Sequence, residues 1–440
     1  MSCNLCEKPP LTAARFCTAC GGRLPDPSKV GGYRPDYGVE PDMGSALGAA
    51  AEEAFSKAFA LQDHGRWEEA VTEYTRAIHC FPSFLDALAN RAYVFERLGK
   101  HDRAREDYTS ILLLRPRDVD VYISRAVVAI ASGDSDAAMA DYNTVLRIDP
   151  NHVAAYRERA IAWLELKDYD RALDDLLAVI DLADSPQPSH YLERSLAFTG
   201  LGRCDEALED LNKALTMDPE YFDALHERGM LLTDMQEWER AIADFSKALE
   251  LKPKNDAGFR ERGRAYYGMG ELESAREDFS AALLCNSDDS ANHFYLGLAL
   301  LELGDAYGAI DALDKSLELT PDNPDALRER GSAYFEAKQY DQARKDLVAA
   351  FELAPDHPES HFRIGLIFLN DDDPENAIPW FDNAIAMDPE ISDYYECKGD
   401  ALKAMGEGAL AAEEYRWAIN IGPMSPSIQS RLRDKLRQVS

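Results

Sequence analysis

The chain has 440 residues and carries 47 Lys and Arg against 80 Asp and Glu, a formal net charge of −33 at pH 7. A surface so acidic repels nucleic acid and acidic membranes as a whole and favours basic partners at long range. No run reaches the roughly 18 uninterrupted apolar residues of a membrane span, and the amino terminus lacks the basic-then-apolar pattern of a secretory signal, so a cytoplasmic location is expected.

Residues 1–50 stand apart, with five basic and five acidic side chains. Cys3, Cys6, Cys17 and Cys20 form C-x2-C-x10-C-x2-C. Four cysteines at that spacing surround one tetrahedral zinc ion and leave no coordination position open, which makes the site structural. Two disulfides are the alternative, less in keeping with a chain that shows no secretory signal. The second half, FCTACGGRL, resembles the knuckle of the zinc-ribbon family, with Gly21 allowing the tight turn; in the first half Glu7 stands where that family has glycine. A zinc-ribbon-like module over residues 1–24, holding one structural Zn2+, is expected. Seven glycines and four prolines between Gly21 and Ala50 show no helical or strand period, which predicts a flexible linker over residues 25–50.

From residue 51 a period of 34 governs the chain. Its clearest copy is Phe222–Asn255. Leu225, Gly229 and Leu232 share one helical stripe there and Ala241, Phe245 and Ala248 another, with a polar turn around Gln236 and Pro253 ending the second helix. Eleven copies run 51–84, 85–118, 119–152, 153–187, 188–221, 222–255, 256–289, 290–323, 324–357, 358–391 and 392–425. Position twenty is alanine in all eleven, from Ala70 to Ala411, and position eight is always Ala, Ser or Gly. Nine copies have proline at position thirty-two, the exceptions being Asp184 and Ser287. Small residues at eight and twenty let helices approach closely, while an aromatic or Leu at twenty-four fills the gap. One hairpin cannot bury its stripes alone, so the copies stack.

This pattern closely resembles the tetratricopeptide repeat, whose small, Ala, aromatic and Pro positions are matched in order over residues 51–425. The resemblance implies an all-α, right-handed superhelical solenoid of helix-turn-helix hairpins, whose first helices line a concave groove. The family's tryptophan position holds other apolar residues here, for example Leu225, Phe259 and Leu327. The fourth copy is one residue longer than the rest, which predicts a seam between two sub-arrays near 184–188. Beyond Pro426, Ile428, Leu432 and Leu436 make one apolar stripe, which predicts a capping helix over 426–440 covering the open face of the last repeat.

Comparing copies within the chain exposes a pairing. Position seven is arginine in seven copies (Arg91, Arg125, Arg159, Arg194, Arg228, Arg262 and Arg330), and position twenty-three of the same copies is aspartate (Asp107, Asp141, Asp175, Asp210, Asp244, Asp278 and Asp346). Lys57 and Lys398 are matched instead by Glu73 and Glu414, and the uncharged Leu296 and Ile364 by the uncharged Ala312 and Trp380. The economical explanation is contact: a structural ion pair that clasps the two helices of each charged hairpin, bidentate where it joins Arg to Asp. Cys80 and Cys285 both fall at position thirty, which other copies fill with Leu, Ile or Met, so they are expected to be core thiols.

By the resemblance, positions two, five, six, nine and twelve face the groove. It is expected to begin apolar, with Phe55, Phe59, Tyr93, Ile123, Val127 and Ile161, and to become basic with Arg157, His226, Arg260, Arg264 and Arg328. Glutamates at position six (Glu158, Glu193, Glu227, Glu261, Glu329) flank the cations, and Tyr267, Phe294, Phe335 and Phe362 supply rings. Such a surface suits an extended peptide; the plainer account is that neighbouring Arg and Glu neutralise one another in solvent. The clamp by which co-chaperones of this family hold acidic carboxyl termini needs Lys at five and Asn at nine, positions that read Phe55 and Phe59 in the first copy and Ala89 and Tyr93 in the second.

No phosphate-binding loop or H-E-x-x-H motif occurs, and His357 and His361, the one close histidine pair, fall on a turn and the next helix. The expectation is a non-enzymatic scaffold that holds protein or peptide partners in its groove, with the zinc module as a second contact point. The alternative is a nucleic-acid-associated factor whose ribbon touches DNA or RNA while the array recruits protein. Against it stands the neutral ribbon, with Lys8, Arg15, Arg23 and Lys29 as its nearby cations.

Overall fold

The computed structural model describes residues 46–355, 357–421 and 425–439. Among them are 23 α-helices and no strand. Cys3, Cys6, Cys17 and Cys20, and with them the expected zinc module and most of the expected linker, lie outside the described residues. The linker expectation needs one correction. Helix α1 (Ala46–Asp63) begins before residue 51, because the alanine-rich run after Ser45 favours helix and its buried Ala51 and Ala54 are fully enclosed.

To within a residue, the other hairpins place helix A on positions one to thirteen and helix B on seventeen to thirty. The turn between them needs a left-handed residue at position fifteen. Gly99 supplies it without strain at φ 68°, whereas Lys167 and Lys338 adopt φ 58° and 61° with side chains attached.

Two compact units divide the chain, the first ending at Leu231 and the second starting at Leu232, inside α11 (Phe222–Asp234). The seam expected near 184–188 is not where the division falls. There α8 (Tyr169–Leu182) packs directly on α9 (Pro188–Gly200), and the extra residue is absorbed in the loop, where the Gln187 amide donates to His190 Nδ1 at 3.3 Å.

The amino-terminal unit stacks α1 and α2 (Trp67–Cys80), α3 (Leu85–Arg97) and α4 (His101–Leu114), α5 (Val119–Ala131) and α6 (Ser135–Ile148), then α7 (Val153–Glu165) with α8, and α9 with α10 (Cys204–Met217). The carboxy-terminal unit continues from α12 (Trp238–Leu251) through α13 (Asp256–Met269), α14 (Leu272–Cys285), α15 (Ser290–Glu302), α16 (Ala306–Leu319), α17 (Pro324–Glu336), α18 (Tyr340–Leu353), α19 (Pro358–Asn370), α20 (Pro374–Met387), α21 (Ser392–Ala404) and α22 (Gly408–Asn420) to α23 (Pro426–Val439). From α2 to α9, and again from α12 to α23, every helix B packs on the helix that follows it.

All eleven position-twenty alanines, Ala70 to Ala411, are fully buried. In the carboxy-terminal unit the glycines at position eight abut the large residue at twenty-four: a Cβ on Gly263 would sit 2.7 Å from the Phe279 ring, and one on Gly365 2.6 Å from Phe381. That is closer than van der Waals contact allows, so only glycine fits this helix spacing. At the carboxyl end Leu432 of α23 is fully buried, with Ile428 and Leu436 packed beside it on Leu402, Tyr415 and Ala418. Position thirty corrects the expectation for one of the two thiols. It lies at the end of helix B, where the chain leaves for the turn: Cys285 is exposed, as Leu114 is at 50%, whereas Cys80 is half-buried and packs against the core of the first hairpins.

Candidate partner-binding face

The face is built outward from the clasps. Arg91 Nε and Nη2 donate to Asp107 at 2.8 and 2.6 Å, and Arg125 repeats this on Asp141 at 2.8 and 2.7 Å. Arg159 with Asp175, Arg194 with Asp210, Arg262 with Asp278 and Arg330 with Asp346 form the same two-pronged pair, all within 2.8 Å. Lys57 reaches Glu73 at 2.5 Å and Lys398 reaches Glu414 at 2.7 Å. Arg228 and Asp244 belong to different units; Arg228 donates to Asn212 at 2.7 Å, and Asp244 is buried.

Sequence reasoning missed a third member. The remaining Nη1 of these arginines reaches back to position twenty-five of the preceding hairpin: Arg91 to Thr75 at 2.9 Å, Arg125 to Thr109 at 2.9 Å, Arg262 to Ser246 at 3.1 Å and Arg330 to Asp314 at 2.6 Å. Lys398 does likewise to Asp382 at 2.7 Å. Position twenty-five is polar where these bonds form, and Val348 where the following position seven is Ile364. That pattern was the available signal. Arg91, Arg125, Arg262 and Arg330, and Arg159 through Asn143, therefore each tie their own hairpin together and join it to the one before, whereas Arg194 follows Leu177, which offers no side-chain acceptor.

In the amino-terminal unit much of the expected groove lining is committed to the fold. Phe55 and Ile123 are core residues, 2% exposed, with Phe55 set among Phe59, Tyr74 and Phe84. Phe59, Tyr93, Val127 and Ile161 stay partly exposed. Arg157, expected to meet ligand, is 2% exposed instead, and Glu193 of the next helix A clasps it, with Nε 2.7 Å from Oε2. The burial of Glu193 raises its carboxyl, and the Arg157 bond opposes that. Beside them His190 is fully buried, and burial first, then the Arg157 charge, pulls its imidazole down to about 4. His226 stacks on Phe222 with ring centroids 6.1 Å apart.

The carboxy-terminal unit presents a more open face. Arg260 bonds Asp289 at 3.0 Å, Asn292 at 3.4 Å and its neighbour Glu261 at 3.2 Å, so it fastens α13 to the start of α15. Arg264 donates to Glu261 at 2.6 Å, lies 5.6 Å over the Tyr295 ring, and keeps 37% of its side chain in solvent. Tyr267 and Phe294 are half-buried, Phe294 resting against Leu313, Leu317 and Leu327. Arg328 pairs with Asp325 at 2.5 Å and with Glu329 at 3.4 Å. α13, α15 and α17 touch in succession, as do α19 and α21, while contacts of that extent join no two successive helices B. The helix A side is therefore the inner side of this unit.

His361 is buried between Phe351 and Trp380, and burial pushes the half-buried Cys397 thiol up to about 12, helped by Asp400 and Glu396. Among the described residues no group of three or more His, Cys, Asp or Glu is placed to hold a metal ion, and no helix is long and apolar enough to cross a membrane.

Family models agree with this geometry. Models described as tetratricopeptide repeat match residues 55–119, 125–192, 191–221, 260–324 and 328–390, and one described as TPR repeat matches 229–270. The chain belongs to the tetratricopeptide repeat family. No curated protein matches the sequence. Among solved structures, this tetratricopeptide repeat chain is similar to a tetratricopeptide repeat protein from Parabacteroides merdae (18% identity over 57% of this chain and 98% of that one, TM-score 0.45). It is similar also to the APC/C hetero-tetramer Cut9–Hcn1 (17% identity, 81% and 84%, TM-score 0.47) and to yeast Tom70 (13% identity, 88% and 95%, TM-score 0.38).

Proposed function

We propose that this tetratricopeptide repeat protein is a non-enzymatic cytoplasmic scaffold that holds extended segments of partner proteins against the helix A face of its carboxy-terminal unit. The observation that carries this reading is Arg264: a guanidinium poised over Tyr295, beside Tyr267, that keeps 37% of its side chain in solvent although its sister Arg260 is consumed in joining α13 to α15. Arginine and aromatic rings on an inner helical face are the usual anchors of peptide recognition.

Affinity purification of the full chain from its native cell tests this, run beside the variants R260E and R264E. Partners lost in R264E are ligands of this face; an unchanged partner list removes the assignment. Cys3, Cys6, Cys17 and Cys20 are proposed to hold a structural Zn2+ in a module that offers a second contact point. Metal analysis of protein purified without chelator should find about one equivalent, and less than about half would refute the site.

A further inference from the structure

The tie from position seven back to position twenty-five is missing at four joints between hairpins, because one of the two side chains cannot take part. Arg194 follows Leu177 at α8–α9, Leu296 follows Ser280 at α14–α15, Ile364 follows Val348 at α18–α19, and Leu432 of α23 follows Arg416 at α22–α23. Three of these joints are tied on the inner side instead, each time from position five. Arg157 of α7 meets Glu193 of α9 at 2.7 Å, Arg260 of α13 meets Asp289 at 3.0 Å and Asn292 at 3.4 Å where α15 begins, and Glu396 of α21 meets Arg431 of α23 at 2.6 Å.

The fourth joint has neither tie. Arginine stands at position five in three copies, as Arg157, Arg260 and Arg328, and each of those copies precedes a joint without the first kind of tie. Arg328, however, does not cross its joint. It bonds Asp325 at 2.5 Å and Glu329 at 3.4 Å, both on its own helix α17, and position six of α19, the place of Glu193 on α9, is Arg363. The ion pairs that span α18–α19 among the described residues are Arg344 with Asp371 at 3.4 Å, each 38% exposed, and Arg363 with Glu336 at 3.9 Å. Pairs so long and so wet hold little. What remains is apolar contact, with Leu347 of α18 and Ile364 and Ile367 of α19 fully buried together, and apolar contact is not directional.

Helix packing changes at the same place. α18 packs on α19 less extensively than any other helix B of the carboxy-terminal unit packs on the helix after it, and the succession of touching inner helices is interrupted between α17 and α19. The neighbouring joints are tied, α16–α17 by Arg330 with Asp314 at 2.6 Å and α20–α21 by Lys398 with Asp382 at 2.7 Å.

We propose that the array opens at α18–α19, so that α19 to α23 form an arm that parts from α18 as one body while the tied joints on either side stay closed. Each hairpin of a repeat array packs on its neighbours alone, so the array divides first at its weakest contact. Because α17 and α19 are successive inner helices, the length of continuous helix A face depends on whether this joint is closed.

Hydrogen–deuterium exchange of the full chain, read helix by helix, tests this. The amides of α19 to α22 should exchange together, about tenfold faster than those of α17 and α18. R260Q removes the inner tie at α14–α15 and should place a second step, of about fivefold, between α14 and α15. R416Q, on an exposed arginine of α22 that makes no ion pair among the described residues, should leave the pattern unchanged. Rates that rise smoothly from α17 to α23 would reduce the arm to fraying of the chain end and overturn the proposal, as would a first step at any other joint of this unit. R260Q without a second step would overturn the premise that these ties decide where the array opens.

Discussion

Arg125 spends its guanidinium in two directions, on Asp141 of its own hairpin and on Thr109 of the one before. Removing Asp141 leaves a mostly buried cation without its carboxylate, a loss of about 1–2 kcal/mol for a charge-assisted pair. The chain supplies its own control, since Leu296 with Ala312 occupies the same two positions without charge. In a double-mutant cycle followed by urea unfolding, D141A should destabilise and R125L with D141A should recover part of the loss; strict additivity would deny the coupling. The pairing was legible because both positions change together within one chain. Its third partner was not, because Thr, Asn, Ser and Asp serve equally as acceptors and no single residue type repeats. His190 makes a pH prediction. Its imidazole titrates near 4 when folded, against an ordinary 6.5, so between those values the unfolded chain takes up a proton that the folded chain refuses. Stability should therefore fall as pH drops through this window, by up to about 1.4 kcal/mol per pH unit. H190Q should flatten that part of the profile, and an identical slope in both proteins would contradict the burial of His190.

At the scale of helices the fold was largely visible in the sequence, because stacking demands the same small residue at the same place every 34 positions. Ala70 to Ala411 could be counted before any helix was placed, and all are fully buried. The glycines at position eight carry a sharper constraint. G365A puts a Cβ 2.6 Å from the Phe381 ring, and since a buried ring cannot withdraw, α19 and α20 must part, at about 1–3 kcal/mol. Chemical denaturation showing no loss would mean that this hairpin is looser than described. Element ends were harder to see. The start of α1 was hidden in Gly- and Pro-rich surroundings, and position thirty looked like core because it is apolar in most copies, although at the end of helix B that apolar side chain meets solvent. The helix A face was legible as a set of positions but not as a set of free groups. Arg157 and Arg260 have the composition of ligand contacts and the geometry of fasteners, a distinction set by which carboxylate the next hairpin happens to offer.

For the molecule as a whole, the acidic balance and the repeat point to the same role. Each hairpin packs on its neighbours, and the surface proposed for function in the carboxy-terminal unit is the inner helix A side with Arg264 and Tyr267, as against helices B that carry single apolar residues such as Leu284, 89% exposed. The account assigns recognition to the first and none to the second. A photo-crosslinking amino acid placed at Tyr267, and separately at Leu284, compares them directly in the full chain in its native cell. The account predicts discrete crosslinked partner proteins from position 267 and none from position 284. Crosslinks confined to position 284 would contradict it.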